Sequence, residues 1–131
     1  MPPAMMISIT DRCNLRCRGC FAQAHQPSPR AEMDESKVRS IFAEAKELGV
    51  SIILLLGGEP LARNDILNIT REFPEIIFLI FTNGMLIDET LLRKIWERKN
   101  VVPVLSLEGH REETDGRRGD GVYQHLQEVM G

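Results

Sequence analysis

The stretch DRCNLRCRGC, residues 11–20, contains every cysteine of this 131-residue chain. The thiols are Cys13, Cys17 and Cys20, so their spacing is CxxxCxxC. An apolar run precedes the stretch, which predicts a β-strand that ends where the thiols begin. A disulfide would leave one thiol over, so the odd number of clustered cysteines favours metal ligation.

Working outward from the cysteines, four apolar runs predict β-strands. They span residues 5–9, 52–56, 76–81 and 101–107. The middle two are continuous rather than alternating, which is typical of parallel strands buried on both faces. Pro103 removes a hydrogen-bond donor from the last run and predicts that this strand starts late or lies at a sheet edge.

The segments between the runs carry helix signals. Candidate N-caps and helical periodicity predict helices after Asp34, after Asn64 or Asp65, after Asp88, and over residues 121–130. The order is therefore β-α-β-α-β-α-β-α. It predicts an α/β fold in which a four-stranded parallel sheet carries helices, and residues 1–131 form one domain.

The composition excludes several classes of function. The chain has a net charge of -3 and 43% apolar residues, so no global positive field attracts nucleic acid or acidic lipid. Its apolar runs are too short to span a bilayer, and its start lacks the pattern of an export signal. We therefore expect a cytoplasmic protein with no membrane or nucleic-acid partner.

Glycine and polar residues follow every predicted strand. After the cysteine loop come Gly57, Gly58 and Glu59 behind the second strand, the sequence TNG at 82–84 behind the third, and SLEG at 106–109 behind the fourth. Carboxyl ends of parallel strands share one edge, which is where such folds bind ligands. The charged stretch REETDGRRGD, residues 111–120, is interpreted either as part of this edge or as a solvated loop.

Two metal sites fit three thiols. A structural zinc site requires four ligands, and His25 or His110 could supply the fourth. An iron–sulfur cluster is also held by thiolates, and three ligands leave one iron of a cubane open. The residues favour the cluster, because an open iron at a ligand-binding edge can bind a substrate or cosubstrate.

These motifs resemble the radical S-adenosylmethionine (radical SAM) superfamily. The resemblance rests on CNLRCRGC after the first strand, LLLGGEP at the second, FLIFTNGMLID at the third and SLEG…RRGDG in the tail. It implies the first β-α units of a partial (β/α)6 TIM-like barrel, with the last βα units missing from residues 1–131. The tail resembles the branch with auxiliary-cluster (SPASM-type) domains. A core of this extent alone is expected to turn over a substrate poorly or not at all.

The resemblance implies a role for each site residue. Cys13, Cys17 and Cys20 ligate a [4Fe–4S] cluster, whose open iron binds the methionine part of S-adenosylmethionine. Gly57, Gly58 and Glu59 contact the amino group of S-adenosylmethionine. Ser106, with Glu108 or Asn83, contacts its ribose or its carboxylate. The carboxylate is bound by Arg118, for which Arg117 is the alternative. The family often has an aromatic residue before the third cysteine; here it is Gly19, so Phe21 is the candidate for adenine stacking.

The implied activity is reductive cleavage of S-adenosylmethionine to a 5′-deoxyadenosyl radical that abstracts hydrogen from a substrate. The substrate is a small molecule or a peptide, and a flavodoxin or ferredoxin supplies the electron. The exposed edge of the last strand is a candidate surface for self-association. The alternatives are a non-catalytic iron–sulfur electron-transfer or scaffold module, a structural zinc module, and a metal-free chain with a disordered cysteine loop.

Overall fold

The computed structural model describes residues 3–24 and 26–131. Within these residues, strands and helices alternate from the start of the chain. The elements are β1 (Ala4–Ser8), α1 (Glu35–Glu47), β2 (Ile52–Leu56), a 3₁₀ turn (Pro60–Ala62), α2 (Ile66–Arg71), β3 (Ile77–Thr82), α3 (Glu89–Glu97), β4 (Val101–Leu105), α4 (Arg111–Arg118) and α5 (Val122–Met130).

The four strands form one parallel sheet in the order β1-β2-β3-β4. In its register Met5 lies beside Ile53, and Ile53 lies beside Phe78. This confirms the predicted α/β fold with a parallel four-stranded sheet. Among the described strands β4 pairs with β3 alone, so the edge position expected from Pro103 is confirmed.

Two of the predicted helix starts are confirmed by their caps. The Asp34 side chain accepts a hydrogen bond from the Lys37 amide at 2.7 Å, and Asp88 accepts one from the Leu91 amide at the same distance. Such caps satisfy amides that have no partner inside the helix. Helices α1 and α3 therefore begin where short-range sequence chemistry places them.

The core lies between one face of the sheet and helices α1 to α3. Ile53, Leu55, Phe78 and Ile80 supply the sheet side of this core, and each is fully buried. From α1, Phe42 packs on Phe78 with ring centroids 4.9 Å apart. Full burial of a side chain of this size contributes roughly 1.5–3 kcal/mol, which fixes α1 on the sheet.

The opposite face of the sheet is not covered to the same extent. Leu54 and Leu79 are half-buried there, while Ile77 and Val102 are exposed. The expectation that the middle strands are buried on both faces is therefore wrong for the described chain. The reason is that α1 to α3 all pack on the same face, as they do around the outside of a barrel.

Helix α4 was not expected from the sequence. Its residues are charged, and only Thr114 is buried, so no apolar periodicity marks it. The helix begins at a local cap in which the His110 amide donates to the Glu113 side chain at 3.1 Å. The interpretation of residues 111–120 as a solvated loop is corrected accordingly.

Helix length and polarity also bear on membranes. No helix in the described part of the chain is long and apolar enough to cross a bilayer.

Candidate cofactor site

The three cysteines lie on the loop that follows β1. All three are free thiols, and each is half-buried. A turn joins two of them, because the Cys20 amide donates to the Cys17 carbonyl at 3.2 Å. The carboxyl end of β1 thus presents every thiol of the chain on one short loop, as predicted.

The GGEP segment after β2 binds the start of this loop through its backbone. The Gly58 amide donates to the Thr10 carbonyl at 2.8 Å, and the Glu59 amide donates to the Arg12 carbonyl at 2.7 Å. A Cβ atom on Gly58 would lie 2.2 Å from the Arg12 carbonyl oxygen, and one on Gly57 would lie 2.3 Å from that of Thr10. Both glycines are therefore required for the close approach of two loops.

Glu59 is buried, and its carboxylate is held by three donors. Its Oε1 accepts from the Thr82 hydroxyl at 2.8 Å and the Leu61 amide at 3.0 Å, and its Oε2 accepts from the Asn83 amide at 2.8 Å. Burial raises the pKa of Glu59, and the hydrogen bonds oppose that rise. The carboxylate therefore ties the loop after β2 to the loop after β3.

Asn83 extends this connection to the cysteines. Its Nδ2 donates to the side-chain oxygen of Asn14 at 2.8 Å and lies 3.7 Å from Cys13 Sγ. Its own side-chain oxygen accepts from the Met85 amide at 3.0 Å, which fixes the orientation of the carboxamide. The structure therefore brings the predicted cofactor residue Asn83 beside the predicted ligand Cys13.

The thiols at the two ends of the motif have different environments. Burial raises the pKa of Cys13, and the Leu15 amide, 3.5 Å from its sulfur, acts against that rise. The pKa of Cys20 is lowered, first by a hydrogen bond from the Ala24 amide and further by other amides and the positive charge of Arg117. Backbone amides aimed at a sulfur stabilise the thiolate, which is the form that binds metal.

The loop after β4 completes the edge of the sheet. The Ser106 amide donates to the Thr82 carbonyl at 3.0 Å, so the half-buried Ser106 continues the ladder between β3 and β4. Glu108 Oε1 accepts from Arg118 Nη2 at 2.5 Å and from Arg117 Nη1 at 2.6 Å. The hydrogen bond from Arg118 is the main cause of the lowered pKa of Glu108. Both candidate arginines therefore meet on one carboxylate.

A connection that the sequence did not indicate joins the cysteine loop to α4. The Arg18 amide donates to the Arg117 carbonyl at 2.8 Å, and the Arg18 side chain donates to the Gly116 carbonyl at 2.6 Å. In return, Arg117 Nε donates to the Arg18 carbonyl at 3.2 Å. The sequence shows an arginine in the loop and a charged stretch at residues 111–120. Their pairing depends on helix α4, which no apolar periodicity predicts.

The remaining candidates are the aromatic residue for adenine stacking and the two possible histidine ligands of zinc. Phe21 is 92% exposed beside Cys20, and His110 lies on the surface at the start of α4. His25, the other candidate zinc ligand, lies outside the described residues.

The donor atoms of the loop bear on both candidate metal sites. In the described ranges 3–24 and 26–131, no three His, Cys, Asp or Glu side chains converge where they could hold one ion. A zinc site needs all its ligands about 2.0–2.3 Å from a single ion, whereas an iron–sulfur cluster takes its thiolates at separate irons. Three free thiols on one short loop, with backbone amides directed at the sulfurs of Cys13 and Cys20, have the donor chemistry of a [4Fe–4S] cluster.

The chain belongs to the radical SAM superfamily. The model of that family, described as "Radical SAM superfamily", matches residues 7–130. The cofactors of the chain are accordingly a [4Fe–4S] cluster and S-adenosylmethionine.

Curated proteins similar to this chain are enzymes. The Fe-coproporphyrin III synthase of Methanosarcina barkeri is 33% identical over 119 residues, which are 89% of this chain and 30% of that protein. The PqqA peptide cyclase of Methylobacterium nodulans is 43% identical over 75 residues, covering 57% of this chain and 20% of that protein. The chain thus spans less than a third of the length of these relatives.

A solved structure gives the same result for the fold. Streptococcus suis SuiB bound to S-adenosylmethionine superposes with a TM-score of 0.82 at 26% identity, over 98% of this chain and 30% of that one. The expected relationship to a TIM-like barrel is confirmed. The chain is thus a radical SAM protein whose relatives are enzymes of this family.

Proposed function

We propose that this chain is the part of a radical SAM enzyme that binds the cluster and S-adenosylmethionine, with Cys13, Cys17 and Cys20 as the cluster ligands. The observation that carries this assignment is the placement of three free thiols on one loop at the carboxyl edge of a parallel sheet. Loops after β2, β3 and β4 then surround the cysteines with the polar groups that a charged cofactor needs.

The cofactors supply the difficult chemistry. When bound, they provide reductive cleavage of S-adenosylmethionine to methionine and a 5′-deoxyadenosyl radical that abstracts hydrogen from the substrate. The protein supplies binding, orientation and exclusion of water.

The segment 57–59 receives the amino group of S-adenosylmethionine. Gly57 and Gly58 are half-buried at the edge, and their backbone carbonyl oxygens would accept hydrogen bonds from the ammonium group. Glu59, the next residue, is buried and has three donors on its carboxylate. It supplies negative charge to the amino-group site and holds the loop after β3 in position.

Asn83, Ser106 and Arg118 form the other side of the cofactor site. Arg118 points its Nε and Nη2 at Glu108, which leaves Nη1 for the carboxylate of the methionine moiety. Ser106 and Asn83 contact the ribose, and the exposed ring of Phe21 stacks on the adenine.

The substrate is a peptide or a small molecule. Proteins similar to this chain include a peptide cyclase and a GTP 3′,8-cyclase, and SuiB has been solved with its precursor peptide SuiA. The tail motif favours the branch that carries auxiliary-cluster domains. A flavodoxin or ferredoxin in the cytoplasm donates the electron, and free clustered thiols suit that reducing compartment.

The edge of β4 is also proposed as a surface for self-association, because its outer backbone groups can pair with another strand. Sedimentation equilibrium tests this, since a dimer is expected at high concentration and a strict monomer would contradict it.

Product analysis tests the proposed activity. The anaerobically reconstituted chain, reduced with dithionite and given S-adenosylmethionine without any substrate, should slowly release 5′-deoxyadenosine by uncoupled cleavage, and Cys17→Ala should release none. Arg16→Ala is the matched control in the same loop and should behave as the wild type. Absence of 5′-deoxyadenosine from a wild-type chain that carries iron and sulfide would contradict the proposed activity.

A further inference from the structure

Arg18 and the last turn of α4 hold each other by three hydrogen bonds. Two run from the Arg18 backbone and side chain to the carbonyls of Arg117 and Gly116, and one returns from the Arg117 side chain to the Arg18 carbonyl. The last carbonyls of a helix have no partner inside it and carry partial negative charge, so a guanidinium is a favourable cap. Arg18 therefore caps the C-terminal end of α4, and it lies in sequence between the predicted cluster ligands Cys17 and Cys20.

The same helix end touches the residues proposed to bind S-adenosylmethionine. Arg117 uses Nε for the cysteine loop and Nη1 for Glu108, and Glu108 Oε1 also accepts from Arg118. One guanidinium thus bridges the segment between Cys17 and Cys20 to the carboxylate that holds Arg118.

This bridge matters because the cysteine loop contains no regular secondary structure. Its first part is fixed by Gly58, Glu59 and Asn83, all of which act at or before Asn14. The part that carries Cys17 and Cys20 is fixed by α4 through Arg18. The relative placement of the first thiol and the other two therefore depends on two separate anchors.

We propose that Arg18 and Arg117 are positioning residues that set the geometry of Cys17 and Cys20 for the cluster and couple it, through Glu108, to the Arg118 site for S-adenosylmethionine. The inference rests on the proposed function, because it assigns cluster ligation to these cysteines. Neither arginine is a catalytic residue, since both act through other groups.

The test compares Arg117→Ala and Arg117→Lys with Arg16→Ala, which removes one positive charge from the exposed surface of the same loop. Each chain is reconstituted anaerobically, and two quantities are measured: the rate of iron release to a chelator, and the change in the EPR spectrum of the reduced cluster on adding S-adenosylmethionine. Loss of groups that orient metal ligands typically costs 10–100-fold in metal affinity. We expect iron release about tenfold faster for Arg117→Ala.

The EPR change should require a higher concentration of S-adenosylmethionine in Arg117→Ala, whereas Arg16→Ala should match the wild type in both measurements. Arg117→Lys should restore the protein only in part, because one ammonium cannot reproduce the planar fork that reaches two acceptors. Full restoration by lysine would show that charge alone matters and would overturn the proposal, as would identical behaviour of Arg117→Ala and Arg16→Ala.

Two further results keep the interpretation clear. If Arg117→Ala does not fold, Arg18→Ala tests the anchoring of Cys17 and Cys20 alone, because it removes only the bond from the exposed Arg18 side chain to Gly116. Iron release from Arg18→Ala as slow as from Arg16→Ala would then overturn the proposal. A wild-type chain that takes up no cluster would overturn the proposed function and this inference together. This inference alone would be overturned if the wild type takes up the cluster and responds to S-adenosylmethionine, and Arg117→Ala shows the same iron release and the same EPR response.

Discussion

The side-chain nitrogen of Asn83, which follows β3, lies 3.7 Å from the sulfur of Cys13, which follows β1. The two residues are 70 positions apart in sequence and meet only because parallel strands bring their carboxyl ends to one edge. A carboxamide donor beside a sulfur stabilises the thiolate. Asn83 therefore links the shape of the sheet to the chemistry of the first cysteine.

Asn83→Asp should slow the reaction of Cys13 in the metal-free chain. The substitution replaces a donor with a negative charge beside the sulfur, which disfavours the thiolate and raises the pKa of Cys13 further. Iodoacetamide labelling followed by peptide mass spectrometry should show several-fold slower alkylation of Cys13. Asn68→Asp makes the same chemical change on the exposed surface of α2 and should leave the rate unchanged; equal rates in all three chains would contradict this role.

Cys20 should react before Cys13 in the metal-free wild type. The Ala24 amide lowers the pKa of Cys20, whereas burial raises the pKa of Cys13. Alkylation depends on the thiolate fraction, which is larger for Cys20. Time-resolved labelling near pH 7.5, or about one pH unit below an ordinary thiol pKa, measures the order; earlier labelling of Cys13 would be inconsistent with these environments.

Gly58→Ala should destabilise the chain. Its new Cβ would lie 2.2 Å from the Arg12 carbonyl oxygen, so the loops after β1 and β2 must move apart. Forcing extra atoms into such a contact costs about 1–3 kcal/mol, which urea unfolding detects. Gly116→Ala is the matched control, because a Cβ there meets nothing within 4 Å and alanine favours the helix by up to about 1 kcal/mol. Equal stabilities of the two variants would show that the loops do not approach as described.

Glu59→Gln should change how stability depends on pH. Burial raises the pKa of Glu59 above its ordinary value of 4.5, so the folded chain holds this proton more tightly than the unfolded chain does. Protonated Glu59 therefore contributes to the free energy of unfolding. This contribution is complete below pH 4.5 and is lost as pH rises through the raised pKa of the folded chain.

Urea unfolding from about pH 4 to about pH 8 measures this effect. The wild type should lose stability relative to Glu59→Gln as pH rises, even though glutamine satisfies the three donors less well. Glu47→Gln, on the exposed surface of α1, corrects for the loss of one carboxyl group. A constant difference between wild type and Glu59→Gln across this range would contradict the raised pKa.

Features with local signals were predictable from the sequence. The caps Asp34 and Asp88, the apolar runs and the edge position of Pro103 each follow from a few neighbouring residues. The CxxxCxxC loop and the GGEP segment were recognisable for the same reason.

Other features depend on the assembled fold. Helix α4 lacks apolar periodicity, so it and its bonds to Arg18 were not visible in the sequence. The resemblance assigns the glycines of GGEP to the approach of the cofactor, but their missing side chains also make room for the backbone of Thr10 and Arg12. The uncovered face of the middle strands was missed because an apolar run does not show which side its helices take.

The most direct test of the central claim is EPR spectroscopy of the anaerobically reconstituted and reduced chain, with and without S-adenosylmethionine. If Cys13, Cys17 and Cys20 hold a [4Fe–4S] cluster with one open iron, a cubane signal should appear and should shift when S-adenosylmethionine binds that iron. A cubane signal that does not respond to S-adenosylmethionine, or stoichiometric zinc in place of iron, would contradict the account.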